Sequence, residues 1–158
     1  MNESDQKRSL RNALGQFATG ITVATTTHDG EPLGMTVNSF TSVSLEPPLV
    51  LWSVGRQSHL FEAFANCERY AINVLHSGQS ELSNLFASSL SDRFGNTQWQ
   101  MSELGLPLFK DCRTHFQCEV RERIDAGDHV ILLAEVLEFS SSQHPPLVFF
   151  GGDYRTLS

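Results

Sequence analysis

Apolar residues recur along this chain at two different spacings, and the spacings separate helices from strands. Leu10, Ala13, Leu14 and Phe17 follow the helical interval in a polar setting, which predicts an amphipathic helix from near Ser4 to about Phe17, ended by Gly20. Ile21 to Thr27 is β-branched almost throughout, and His28-Asp29-Gly30-Glu31 supplies the Asp-Gly pair of a tight hairpin, so two antiparallel strands are expected around it. The stretch from Leu33 to Leu45 is uncharged and crowded with Thr, Ser and Val. It stops at Glu46-Pro47-Pro48, where prolines that cannot donate to a ladder mark a turn before Leu49 to Val54.

Ser58 reads as a helix N-cap ahead of Leu60, Phe61 and Phe64, and Arg69 to Leu75 as the next strand. Leu82, Leu85 and Phe86 return to helical spacing, whereas Ser88 to Gly105 has little periodicity and is expected to be loop. Phe116, Cys118 and Val120 alternate with polar neighbours, and Asp125-Ala126-Gly127-Asp128 turns that strand into His129 to Val136, the longest hairpin. Pro145 and Pro146 precede a last apolar strand, Leu147 to Phe150. Six or seven strands joined mostly by hairpins, with short helices at the start and in one or two connections, predict a mainly β, antiparallel barrel. No linker, repeat or low-complexity tract divides the chain, so residues 1–158 are expected to form a single domain.

Composition narrows the function classes. A chain with 40% apolar and 18% charged residues is too hydrophobic to be disordered, and it has no run near the roughly 20 apolar residues needed to span a bilayer. The formal net charge is −7, with Lys7 and Lys110 the only lysines, so neither nucleic acid nor a membrane surface is an expected partner. Eleven Phe beside two Tyr and two Trp supply core bulk, more than a small barrel interior would comfortably enclose. Cys67, Cys112 and Cys118 are odd in number and show no Cys-x-x-Cys spacing, and the first eight residues mix both charge signs without leading into an apolar run; a cytoplasmic setting is expected.

Chemistry has to be sought elsewhere than in the commonest catalytic motifs. The six histidines are scattered without i, i+4 pairs, which predicts no metal site; no Gly-x-Ser-x-Gly elbow and no Gly-rich phosphate loop occurs. The unusual segment is Gly34 to Ser44, where hydroxyls and one amide recur without charge. Such groups are costly to bury unless each finds a partner. Either the strand bonds its own neighbours, or it faces a planar polar ligand. His129, at a strand start on the barrel rim, is either a hydrogen-bonded strand-end histidine or a site residue.

The run Gly34-Met-Thr-Val-Asn-Ser-Phe-Thr-Ser-Val-Ser-Leu-Glu-Pro-Pro-Leu-Val-Leu51 resembles the short-chain flavin reductase family, the reductase components of two-component flavin-dependent monooxygenases. The likeness extends from about Arg11 to Tyr154. It includes Phe17-Ala-Thr-Gly20, Tyr70-Ala-Ile-Asn-Val-Leu75, Leu85-Phe-Ala87, Asp92-Arg-Phe94, Gly127-Asp-His129 and a Pro-Leu-Val-Phe-Phe strand running into Gly152-Asp-Tyr154. Several such motifs in one order are specific, where any one would be weak.

The resemblance implies a homodimeric split β-barrel of Greek-key type that binds FMN or FAD near the subunit interface. It implies that NADH, or NADPH, delivers hydride to the flavin, and that reduced flavin leaves for a monooxygenase component. Carried over residue by residue, Thr36, Val37, Asn38 and Ser39 would line the isoalloxazine; Ser53, Val54 and Ser58 would lie along the ribityl and phosphate; Phe86, Ala87 and Arg93 would close the other side. His129 and Tyr154 would meet the nicotinamide, with His129 as the catalytic candidate. Arg93 stands where relatives frequently carry Lys, and Gly151-Gly152 and Lys110-Asp111-Cys112 also depart from the commonest forms. A coenzyme 2′-phosphate usually calls for a dedicated Arg, and no basic cluster is visible, which favours NADH. The rival reading is a noncatalytic split barrel that stores or carries flavin or haem; oxidation of a pyridoxine-type substrate is less favoured, because it would need a second basic phosphate site.

Overall fold

The computed structural model describes residues 2–89 and 92–157. In chain order its elements are α1 (Glu3–Leu14), β1 (Thr19–Gly20), β2 (Thr22–His28), β3 (Glu31–Val37), β4 (Thr41–Leu45), β5 (Pro48–Gly55), α2 (Phe61–Asn66), β6 (Arg69–Val74), α3 (Ser80–Ala87), β7 (Trp99–Met101), β8 (Pro107–Phe109), β9 (Thr114–Ala126), β10 (His129–Ser141), β11 (Leu147–Phe150) and β12 (Asp153–Thr156). Seven strands form one antiparallel sheet in the order β3-β2-β6-β9-β10-β5-β4, flanked by a β1-β11-β12 sheet and a β7-β8 pair. This is the expected antiparallel split barrel.

The two edge strands of the large sheet, β3 and β4, are consecutive in sequence, so the residues between them carry the chain from one edge to the other. The expected single strand from Leu33 to Leu45 is therefore two strands, interrupted at Asn38-Ser39-Phe40. Pairing with different neighbours, β2 on one side and β5 on the other, forces the break. Ser39 holds the seam: its Oγ accepts from the Ser53 N–H at 3.0 Å.

Both tight hairpins follow from their turn residues. Asp29 and Gly30 have φ of 52° and 80°, the left-handed pair that suits a two-residue turn between β2 and β3. Between β9 and β10 the two turn residues are Gly127, at φ 63°, and Asp128, with Ala126 paired to His129. The long β9-β10 ladder carries two register shifts, between Leu133 and Ala134 and between Val136 and Glu138, and such irregularities let a long ribbon curl.

One core fills the barrel. Val50, Trp52 and Val54 alternate inward on β5 and meet Phe64, Tyr70, Ile72 and Leu132, with Trp52 edge-on to Phe64 at 5.0 Å between centroids. The Tyr70 hydroxyl donates to the Leu132 carbonyl at 2.9 Å, so its polar end is paid inside the core. Cys118, expected in the core from its alternation with Phe116 and Val120, is fully buried there. A second cluster, Ile21, Val23, Leu75, Phe86, Phe94, Phe109 and Leu147, packs α3 and β11 against the other face of the sheet. The buried Asn73 connects the layers: its Nδ2 donates to the Val23 carbonyl and to Thr25 Oγ1, and its Oδ1 accepts from the Phe109 N–H.

The helices depart from expectation in three ways. First, α1 stops at Leu14 with Gly15 as its C-cap, before the expected Phe17: the N–H groups of Gln16 and Phe17 turn back to the carbonyls of Ala13 and Leu14, three residues away, and the Gly15 carbonyl accepts from the Gly151 N–H of the β11-β12 turn at 2.9 Å. Secondly, its apolar face does not pack on the barrel: no α1 residue is buried, and Leu14 and Phe17 are 66% and 78% exposed. Thirdly, Ser58 is not a helix N-cap. Its Oγ accepts from the Leu60 N–H two residues on, closing a local turn, and α2 begins only at Phe61. The expected loop from Ser88 to Gly105 contains a 3-10 turn at Phe94–Asn96 and strand β7, whose partner β8 lies just beyond; residues 90–91 of it lie outside the described residues.

Candidate functional site

The end of β3 is where polar groups of the uncharged segment reach the surface. Most hydroxyls nearby are already used by the fold. Thr36 Oγ1 donates to the Ser83 carbonyl of α3 at 2.6 Å, and Thr22 Oγ1 to the Val37 carbonyl at 3.1 Å. On β2, Thr25 and Thr26 donate to the carbonyls of Pro107 and Arg69. Within Gly34 to Ser44, Thr36 and Ser39 bond neighbouring elements, as one reading of the segment expected. Asn38 is the exception: it is exposed, and its side-chain amide is spent on no group among the described residues.

Asn38 stands at a cleft of about 210 Å³ lined by Ile21, Thr36, Val37, Ala87, Phe149 and Tyr154. Three chain segments far apart in sequence meet here. β3 ends at Val37, α3 ends at Ala87, and the β11-β12 hairpin contributes the cross-strand pair Phe149 and Tyr154, whose rings lie 5.9 Å apart. The Tyr154 hydroxyl donates to Asn84 Oδ1 at 3.0 Å and lies 2.6 Å from Ser83 Oγ, so the phenol is fastened to α3. The cleft offers apolar walls in Ile21, Val37 and Phe149, one free amide and no charge.

The structure gathers Thr36, Val37, Asn38, Ala87 and Tyr154 of the sequence-predicted residues at this cleft. Ser39 is beside them through its bond to Ser53. Ser58 lies under β3, its Oγ 3.9 Å from the Met35 sulfur. Val54 and Phe86 are in the two cores and are not among the residues that line the cleft, so their side chains build the scaffold. Arg93 is buried too: its Nη1 donates to the carbonyls of Phe86 and Ser88 at 3.3 and 3.2 Å, and its guanidinium lies over the Phe86 ring. Desolvation lowers its pKa from the usual guanidinium value. Its hydrogen bonds therefore close the end of α3, next to Ala87.

His129 stands apart, at the start of β10 opposite Gly55. Its Nδ1 is 2.7 Å from Asp128 Oδ1, and this hydrogen bond holds the Asp128 carboxyl below its ordinary pKa. The three thiols offer no nucleophile: burial pushes Cys67 up to about 11 and Cys112 and Cys118 to about 12. Sequence reading missed Ile21 and Phe149 as cleft walls and Ser83 and Asn84 as the anchors of Tyr154. Alternation in Leu147–Phe150 could have put Phe149 on one face; nothing local marks Ile21.

The family described as flavin reductase like domain matches residues 14–158. The chain is 43% identical over 150 residues to a probable flavin reductase of Rhizobium meliloti, covering 94% of this chain and 48% of that protein. It is 42% identical over 154 residues to the FMN reductase (NADH) SmoA of Agrobacterium fabrum, covering 98% and 88%. Among solved structures, the Streptomyces globisporus NADH:FAD oxidoreductase SgcE6 in complex with NAD and FAD fragments superposes with a TM-score of 0.93 at 35% identity, over 100% of this chain and 96% of that one. The chain spans about half the length of the first curated relatives it matches.

Proposed function

The chain belongs to the flavin reductase-like domain family, and on that premise we propose that residues 1–158 form one NAD(P)H:flavin oxidoreductase domain. It takes hydride from NADH, or from NADPH, passes it to FMN or FAD, and supplies the reduced flavin to a partner monooxygenase. The observation that carries this reading is the cleft at the end of β3, where an unspent amide borders apolar walls. A flat ring system with a polar edge needs that combination. The flavin, when bound, supplies the redox chemistry; the chain's residues bind, orient and release it.

Val37, Ile21 and Phe149 cover the ring's apolar surface, and Asn38 bonds its polar edge. Thr36 and Ser39 act through the bonds that fix the strand end: Thr36 on Ser83, Ser39 on Ser53. Ser53, Val54 and Ser58 run along the ribityl and phosphate, with Val54 limited to its backbone because its side chain is buried. Phe86 and Arg93 shape the opposite wall from behind Ala87. His129 and Tyr154 receive the nicotinamide.

A cleft of about 210 Å³ falls below the roughly 300–1,000 Å³ typical of ligand pockets, so one chain holds only part of a flavin. Two consequences support the reading: the flavin stays exchangeable, as a supplier of reduced flavin requires, and a second copy of the chain completes the groove. The unpartnered face of α1 supports a homodimer. Three free, buried thiols suit the reducing cytoplasm.

Steady-state assays with FMN, FAD and riboflavin, each with NADH and NADPH, test the function. Nicotinamide oxidation well above the flavin-only control is expected in at least one combination. Flavin binding without turnover in any of them would instead leave a noncatalytic carrier.

A further inference from the structure

Tyr154 is a wall of two clefts. On one side lies the Asn38 cleft; on the other a groove of about 400 Å³ is lined by Ser77, Ser80, Leu147, Arg155 and Thr156. We propose that this second groove binds the diphosphate of the nicotinamide coenzyme, with Arg155 as its charge partner. The assignment rests on the reductase reading above and adds to it the subsite that holds the coenzyme's anionic portion.

The lining has the chemistry of an anion site. It combines three hydroxyl side chains with one guanidinium, Leu147 being the only aliphatic member, and no carboxylate lines it. None of the three hydroxyls is spent on a partner among the described residues. In a chain of net charge −7, a groove whose one charged lining residue is cationic runs against the overall field. The nearest competitor is Asp153, whose Oδ2 lies 3.6 Å from Arg155 Nη2. Both side chains are more than half exposed, so that pair is weak and readily exchanged for a phosphate.

The position fits as well as the chemistry. Tyr154, fixed through Ser83 and Asn84, borders both clefts. A dinucleotide whose nicotinamide stacks on a flavin held at the Asn38 cleft can pass its ribose over the phenol and set its phosphates beside Arg155. The Asn38 cleft has no charged lining residue to serve them.

The test compares hydride donors with and without phosphates: NADH, and 1-benzyl-1,4-dihydronicotinamide, which carries none. Arg155→Ala should raise the KM for NADH about tenfold, the size of one charge-assisted hydrogen bond, with the loss in kcat/KM carried by KM. The phosphate-free donor should not follow, and Arg155→Lys should recover part of the NADH loss. Added salt should raise the KM for NADH more in the wild type than in Arg155→Ala. An unchanged KM for NADH, or equal losses with both donors, would overturn the proposal. A raised KM for FAD with that for NADH unaltered would overturn it too, by giving the diphosphate to the flavin. A wild-type protein that oxidises neither donor defeats the reductase reading itself, which is a different result from a reductase indifferent to Arg155.

Discussion

The phenol oxygen of Tyr154 lies 2.6 Å from Ser83 Oγ, so the C-terminal hairpin is bolted to α3 by one short hydroxyl contact. The single phenol proton goes to Asn84 Oδ1, which leaves Ser83 as the donor in the other bond. Ser83 is completely buried, with its carbonyl engaged by Thr36. One side chain of α3 thus faces the hairpin while the backbone of the same residue holds the end of β3.

Replacing Tyr154 by Phe removes both phenol bonds and leaves the buried Ser83 hydroxyl without its acceptor. The expected cost is about 1–3 kcal/mol. Urea unfolding should show a lower midpoint with an unchanged slope, since the amount of surface exposed on unfolding is the same. A wild-type midpoint would mean that the pairing with β1 and the apolar packing hold the hairpin without the phenol bonds.

Asn38→Ala tests the amide at the cleft. Under the proposed function the flavin ring loses the group that satisfies its polar edge, and binding should weaken by about 1–3 kcal/mol. Because Asn38 is exposed and its side chain is unbonded among the described residues, the fold should not notice. Fluorescence titration with FMN and FAD reads the loss directly; unaltered affinity for both places Asn38 outside the pocket.

Features set by neighbouring residues were legible in the sequence, and features set by distant pairing were not. Asp29-Gly30, and Gly127 within Asp125 to Asp128, mark their hairpins because those turns demand residues that tolerate positive φ. The seam at Asn38–Phe40 has no such signal: the run from Gly34 to Ser44 reads as one uninterrupted strand, and only the pairing of β3 and β4 with different neighbours divides it. Ser58 looks like a cap in sequence, yet its hydroxyl closes a turn that delays α2 to Phe61. Leu10, Leu14 and Phe17 have the spacing of a buried face, but nothing in spacing says whether the covering surface belongs to the same chain. At the site, Asn38 and Tyr154 came from family likeness, whereas Ile21 and Phe149 are ordinary apolar strand residues until three segments converge on them.

That uncovered face makes the next prediction. Leu10, Leu14 and Phe17 lie at i, i+4 and i+7, and are 60%, 66% and 78% exposed, while Phe139 and Leu45 are 72% and 94% exposed elsewhere on the surface. Sedimentation equilibrium should report twice the 17.6 kDa chain mass. Phe17→Asp should shift the distribution towards the single chain if α1 contributes to the contact. A monomer that reduces flavin at full rate would remove both the dimer and the shared groove.

His115 should give the fold a pH dependence of predictable sign. Its Nε2 is 2.8 Å from the Phe109 carbonyl, and desolvation, the larger influence, lowers its pKa from the ordinary 6.5 despite that bond. In the window just below 6.5 the unfolded chain therefore binds a proton that the folded chain refuses. Stability rises with pH through this window and falls as the solution is acidified. Thermal unfolding between pH 5 and 7 should show that slope, and His115→Gln should flatten it; an equal slope in the variant would assign the effect to other groups.

The last prediction concerns His129 and separates two roles by two observables. Gly55 pairs with His129, and Ser53, whose N–H is held by Ser39, lies two residues back along β5; at roughly 3.3 Å per strand residue, His129 is about 7 Å along the strand from the Ser39 seam. The Asp128 carboxyl, held below its ordinary pKa by its hydrogen bond to the ring, engages Nδ1 and leaves Nε2 without a partner among the described residues. An imidazole so placed can bond the carboxamide of a nicotinamide and orient it for transfer. His129→Ala should then slow flavin reduction about tenfold in rapid mixing with saturating NADH, while flavin dissociation changes little. If His129 merely steadies the Gly127-Asp128 turn, the variant should lose thermal stability and keep the wild-type reduction rate. Because the pair is exposed, the folded variant is expected to be obtainable, and its reduction rate decides between the two roles.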